Sequence, residues 1–236
     1  MSYVLIIGAK SDIAKATARE YAKHGYDLYL AARNVSELET FANDIKIRFE
    51  RKIKCIEFDI LDYISHKYFY DDLEEKPLGV ISAVGYLGDL SETQKIIDTN
   101  YTGVVHLINI IANDFEQRKS GFIVAISSVA GDRGRKSNYI YGSAKAALTA
   151  YLSGLRNRLY DANVHVLTVK PGFVATKMTE GMDLPKKLTA KPEDVAKDIY
   201  KAQQNGTNVL YTKWIWKWIM LIIKTIPEFQ FKKMNL

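Results

Sequence analysis

Short apolar runs alternate with longer amphipathic stretches along most of the chain. Runs at 4–8, 27–31, 53–58, 79–84, 121–127, 164–169 and 209–211 have the length and side chains of buried strands. Between them, 13–23, 35–49, 63–73, 93–117, 139–160 and 192–204 carry a helical period. This alternation predicts an α/β fold, a Rossmann-type doubly wound parallel sheet of about seven strands with helices on both faces. Residues 1–211 show no repeat, linker or change of composition and predict one domain, followed by an apolar and basic tail at 212–236. Ligands of such sheets bind beyond the carboxyl ends of the strands, so chemistry is expected just after each run.

Composition narrows the setting. With 236 residues, 47% hydrophobic and 25% charged, the chain is long enough to bury a core without a staple. The single cysteine, Cys55, excludes an internal disulfide, which fits a reducing cytoplasm. Its place in the run 53–58 predicts a buried structural thiol. Met1 and Ser2 lead straight into Tyr3-Val4-Leu5, with no basic leader or small-residue cleavage site, so no export signal is expected. The net charge is +6, but bases and acids are interspersed without a basic aromatic face, which argues against a nucleic-acid partner. His24, His66, His106 and His165 lack metal-ligand spacing, and no metal is expected.

After the first run stands Gly8-Ala9-Lys10-Ser11-Asp12-Ile13-Ala14, opening a helix. Small residues at a helix N-terminus offer free N–H groups and a positive dipole end to a phosphate, although the same turn also serves as a plain connection. Asp12 would repel a pyrophosphate, so Ser11 or Asp12 is expected to cap the helix with the charge turned away. The second run ends Ala31-Ala32-Arg33-Asn34. Ala32 cannot accept a bond from a ribose 2′-hydroxyl, whereas Arg33 can pair with a 2′-phosphate. The pair favours NADP(H) over NAD(H).

Tyr141-Gly142-Ser143-Ala144-Lys145 places a phenol and an ammonium four residues apart on one helical face. A neighbouring positive charge lowers a phenol's pKa and suits it to acid/base work. Thirteen residues before Tyr141, Ser128 follows the fifth run, where its hydroxyl can hold a carbonyl oxygen. Among 15 tyrosines, a Tyr-x-x-x-Lys pair alone also arises on a surface helix. The order and context of these motifs over residues 3–176 resemble the short-chain dehydrogenase/reductase superfamily. That resemblance implies Tyr141 as proton donor, Lys145 binding ribose and tuning the phenol, Ser128 orienting the substrate, and Asn100 completing a proton relay. It implies further that Gly8, Lys10, Ser11, Asp12 and Ile13 hold the cofactor phosphates, Asp59 meets adenine, and Gly85 lets the cofactor approach. Pro171, Val174 and Thr176 would hold the nicotinamide end. The chain departs from the usual family pattern at Ile7, Asp12 and Ala14, and at Ser82-Ala83 where two asparagines are usual.

Residues 214–223 hold nine apolar residues in ten and are too short to span a bilayer. Tryptophans beside Lys213, Lys217, Lys224, Lys232 and Lys233 suit a membrane interface, while a helix packed on the domain or at a subunit contact is the alternative. The tail, the first loop and the short 177–190 segment resemble a bacterial subgroup whose members reduce keto-sugars carried on polyprenyl phosphate. The expected substrate is thus a small or lipid-linked carbonyl compound, met in the cytoplasm or at the membrane's cytoplasmic face. A fatty or steroidal ketone and a non-catalytic NADP(H) sensor stand as alternatives. A homodimer or homotetramer is implied by the resemblance.

Overall fold

The computed structural model describes residues 2–234; Met1 and the last two positions of the predicted tail lie outside the described residues. Seven strands, β1 (Tyr3–Ile7), β2 (Asp27–Ala32), β3 (Ile53–Glu57), β4 (Gly79–Ser82), β5 (Gly121–Ile126), β6 (Val164–Pro171) and β7 (Val209–Thr212), form one sheet. Their order is β3-β2-β1-β4-β5-β6-β7 and every pairing is parallel. Alternation along β1 sends Tyr3, Leu5 and Ile7 to one face and Val4 and Ile6 to the other. Helices α1 (Asp12–Lys23), α2 (Glu39–Phe49) and α7 (Pro192–Gln204) cover the second face. The first is covered by α3 (Ser65–Asp71), α5 (Gly103–Arg118) and α6 (Tyr139–Arg158). The chain reverses its direction of travel across the sheet between β1 and β4, which opens a crevice at their carboxyl ends.

The predicted helix 93–117 is interrupted. It divides into α4 (Thr93–Ile97), a π turn at Asp98–Thr102 and α5. The wider turn carries Asn100 fully inward. Its amide donates to Tyr86 O at 2.6 Å and Ile96 O at 2.8 Å, and its carbonyl accepts from Tyr86 N at 3.1 Å. The predicted helix 35–49 opens instead as a tight turn, Val35–Leu38. There the Glu57 carboxylate takes the Asn34 and Val35 amides at 2.8 and 2.9 Å. Because β3 is an edge strand, Cys55 is half-buried and not enclosed as expected. Two of the four scattered histidines meet: His66 and His106 share a 2.9 Å contact between their Nδ1 atoms.

The tail forms α8 (Ile215–Thr225) and a short α9 (Glu228–Phe231) separated by Pro227. Trp216 and Met220 are buried against Val129, with Phe173, Leu188 and Tyr211 around them. Gly172 is required beneath, since any Cβ there would run into the Trp216 ring. Arg133 anchors the end of α8 by donating to the carbonyls of Ile223, Lys224 and Ile226 at 2.9, 3.2 and 2.6 Å, and it pairs with Glu228 at 2.9 Å. The opposite side of α8 leaves Trp218 54% and Ile222 65% exposed. The helix therefore packs on the domain and still presents an apolar outer face. Among the described residues no helix is long and apolar enough to cross a membrane.

Candidate active site

β5 ends one residue before the Ser127-Ser128 pair, and Ser128 caps the turn Val129–Gly131 by accepting from Ala130 N at 3.1 Å. The start of α6 lies directly on that turn. A Cβ at Gly142 would stand 2.8 Å from Ala130 O, so only glycine lets the helix come this close. The approach brings the Tyr141 phenol beside Ser128, whose hydroxyl favours the ionised phenol. One helical turn on, Lys145 is 1% exposed, and its Nζ donates to Ile126 O at 3.0 Å and Val84 O at 3.2 Å. It lies 5.7 Å from the centroid of the Tyr141 ring. An ammonium has three donors, and these carbonyls take two. Ser127 locks the helix to the strand, donating to Lys145 O at 2.9 Å.

The electrostatics differ from the expectation. Burial pushes the Tyr141 phenol up to about 12, opposed only by the Ser128 hydrogen bond. Burial also pushes Lys145 down to about 7. The amine does not lower the phenol's pKa here, because desolvation penalises both charged forms. At neutral pH the phenol is protonated.

At the end expected to take the cofactor, Gly8 adopts φ +75°, and a Cβ there would come within 3.0 Å of the Ala83 and Val84 backbone. The Gly-Ala turn is thereby wedged against the loop after β4, where Gly85 lies among Asn100, Lys145 and Met178. Ser11 caps α1, accepting from Ala14 N at 3.2 Å, and Ile13 O accepts from Thr17 inside the helix. Asp12 is not the cap: its carboxylate crosses the crevice and accepts from Lys177 N at 2.8 Å, tying the first loop to the turn Lys177–Thr179. Lys10 pairs with Glu37 at 2.7 Å. Gly8, Lys10, Ser11, Arg33 and Gly85 line one cleft of about 600 Å³. Arg33 is exposed there, and among the described residues no side chain pairs with it. Asp59 lies two residues beyond β3 and accepts from Leu61 N at 3.0 Å with one carboxylate oxygen, while its neighbours Phe58, Ile60 and Leu61 line the cleft.

The chemistry end opens on a second cleft of about 450 Å³, shared by Ser128, Tyr141, Lys145, Pro171, Val174 and Thr176. Asn100 lines neither cleft; it clamps Tyr86 behind Gly85. Thr179 secures the loop after β6 by donating to Val174 O at 2.7 Å. Leu87, Phe173, Met178 and Met182 form an apolar wall, and Arg135 and Asn138 enter from the loop between Ser128 and Tyr141. None of these six was singled out from the sequence. The position of 129–138 between the two site residues was the available signal for Arg135 and Asn138. The described residues contain no group of three or more His, Cys, Asp or Glu that would hold a metal ion.

Residues 2–186 match the family model described as short chain dehydrogenase. An uncharacterized oxidoreductase of Mycobacterium tuberculosis is 34% identical over 241 residues, covering 98% of this chain and 96% of its own. An NADP-dependent 3-hydroxy acid dehydrogenase of Schizosaccharomyces pombe is 28% identical over 188 residues, 75% of this chain and 73% of that one. Among solved structures, a short-chain dehydrogenase from Sphingobium yanoikuyae in complex with NADPH superposes with a TM-score of 0.81, covering 97% of each chain at 21% identity. A bulky-bulky ketone specific alcohol dehydrogenase from Comamonas testosteroni gives the same TM-score at 20% identity, covering 97% of this chain and 96% of that one.

Proposed function

Because the chain belongs to the short-chain dehydrogenase family, we propose that it reduces a ketone to an alcohol with NADP(H), Tyr141 supplying the proton. The observation that carries the reading is the clustering of half-buried Tyr141 and Ser128 with fully buried Lys145 in one cleft at the carboxyl ends of β4 and β5. The residues present fit the cofactor: a glycine-only approach at Gly8, a capped helix N-terminus, Arg33 without a partner among the described residues, and a free Lys145 donor. Arg33 and Lys10 would take the 2′-phosphate side, and Val174 and Thr176 the nicotinamide side. When bound, the nicotinamide supplies a hydride to the carbonyl carbon.

The residues of this chain do the rest. Ser128 donates to the carbonyl oxygen and sets it beside the phenol. As the C=O electron pair moves onto that oxygen, Tyr141 gives it a proton. A phenol held near 12 is in its acid form at neutral pH, the form that reduction consumes. Lys145 directs its third donor toward a ribose hydroxyl and then returns a proton toward the phenolate. Asn100 is a positioning residue, holding Tyr86 and so the Gly85 loop beside Lys145.

The reading extends to a lipid-linked keto-sugar met at the cytoplasmic face of a membrane. Support comes from the outer face of α8, where Trp214, Trp218, Leu221 and Ile222 are exposed next to Lys213, Lys217 and Lys224. Its inner face reaches the substrate cleft through Trp216, which meets Phe173 edge-on at 5.1 Å. Pairing of subunits into a homodimer or homotetramer through α5 and α6 belongs to the same proposal, with light scattering as its measure.

The decisive experiment follows NADPH and NADH oxidation across free and lipid-linked keto-sugars and simple bulky ketones. Turnover with none of them, despite NADPH binding, overturns the reading in favour of a sensor. Flotation with anionic vesicles tests the membrane part. The double substitution Trp218→Ser, Ile222→Ser should abolish co-flotation; equal flotation, or none by the wild type, overturns it. Removing the whole tail is the poorer test, since it uncovers Val129 and Phe173.

A further inference from the structure

Between Ser128 and Tyr141 the chain places a cation with almost nothing to hold. Among the described residues Arg135 Nε is buried with no hydrogen-bond partner, and Nη2 reaches the Met220 thioether at 3.3 Å. A thioether is a weak acceptor, and a half-buried guanidinium normally turns its buried N–H groups to carboxylate or carbonyl oxygens. The nearby carboxylate, Asp132, is committed elsewhere: it pairs with Lys170 at 2.5 Å and accepts from Tyr211 at 2.8 Å. Three residues before the catalytic phenol, Asn138 Oδ1 is likewise buried without a donor. Both side chains line the cleft that holds Ser128 and Tyr141. A guanidinium with an unpaired Nε and an amide oxygen without a donor therefore line the same cleft as Ser128 and Tyr141, together with apolar Met178 and Met182.

We propose that Arg135 is an anion-recognition residue, binding a phosphate ester of the substrate while Asn138 accepts from a hydroxyl near the carbonyl. The inference rests on the carbonyl-reductase reading and narrows it to phosphorylated polyol ketones, whether the phosphate ends there or continues into a lipid. A phosphate offers the two oxygens that a guanidinium fork bonds side by side. The loop that carries Arg135 is fixed just before it by the Lys170–Asp132–Tyr211 network and the grip of Arg133 on α8, and just after it by Asn138 N donating to Arg135 O at 3.2 Å. The fork is thus pre-positioned, so binding costs little side-chain entropy.

The test measures binding, so it does not depend on turnover. Benzyl phosphate, benzyl alcohol and benzyl phosphate carrying a long alkyl ester are titrated calorimetrically into the full chain saturated with NADP⁺, which occupies the cofactor's own phosphate sites. Benzyl phosphate should bind and the alcohol should not. Arg135→Gln should weaken the phosphate roughly 10- to 100-fold, with Arg135→Lys restoring part of the loss and Met220→Leu keeping the affinity. Comparable binding of the alkyl diester identifies the lipid-linked form; binding of the monoester alone identifies a free phosphate. Equal affinity of wild type and Arg135→Gln, or equal binding of ester and alcohol, overturns the proposal. Melting curves of each variant separate misfolding from lost recognition, and Arg135→Lys serves as the folded comparison if Arg135→Gln does not fold. If NADP⁺ itself fails to bind, the cofactor reading has failed instead. In that case titration without it still compares Arg135→Gln with wild type.

Discussion

The two ends of the crevice are built by different means. The cofactor end is made of strand termini and the turns attached to them: Gly8 after β1, Arg33 after β2, Gly85 after β4. The substrate end is gathered from the loop 129–138, the segment 172–190 and α8. The first end is fixed by the sheet register and a few short-range steric demands. The second depends on long-range contacts, such as Arg133 to Ile226 and Trp216 to Phe173. Asp12 bridges the two, its side chain belonging to the first loop and its bond to Lys177 in the second. A residue that looked like a defect in a phosphate loop is a strut across the crevice.

This contrast is open to experiment, beginning where both ends meet. Tyr141→Phe removes the proton donor but little volume, so reduction should fall about 10³-fold or more while NADPH fluorescence still reports binding. Intact turnover would place the chemistry elsewhere. Trp216→Ala strips the contact that docks α8, and a loss of about 3–5 kcal/mol is expected in denaturant unfolding. Its effect on KM for the carbonyl should exceed that on KM for NADPH, because the cofactor end does not rest on α8. Arg33→Ala reverses that pattern: the KM for NADPH should rise about 10- to 100-fold, with that for NADH nearly unchanged. A parallel rise for both cofactors would remove the 2′-phosphate assignment.

The smallest effect is a pH dependence. Burial holds Lys145 near 7, so its charged form disappears as pH rises through that value, and kcat/KM for NADPH should decline above it. Tyr141, held near 12, stays protonated over the same range and contributes no second limb. Lys145→Arg, which does not titrate there, should flatten the profile. A decline that persists in this variant would assign the titration to another group.

How much of this was legible beforehand divides along the same line. That Ser128, Tyr141 and Lys145 share one cleft, and that Gly8 lines the neighbouring one, could be expected from sequence because strand ends and one helical turn convert spacing directly into proximity. Asn100 was in the expected neighbourhood, but local bonding to Tyr86 and Ile96 occupies its side chain, and Asp59 gives one carboxylate oxygen to Leu61 N. Such bonds depend on turn geometry that a run of letters does not display.

The sequence by itself determined the layered sheet, the order of its strands along the chain, and the chemistry offered at their ends. Periodicity and a phenol, hydroxyl and amine at fixed separations carry that information locally. Only the tertiary structure decided that burial, and not the neighbouring amine, governs the phenol, and that the tail folds back as a wall with one face inward. It alone left the Arg135 Nε buried without an acceptor in the cleft of Ser128 and Tyr141. Desolvation and the pairing of buried charges are sums over many distant atoms, and they exist only once the chain has closed around them.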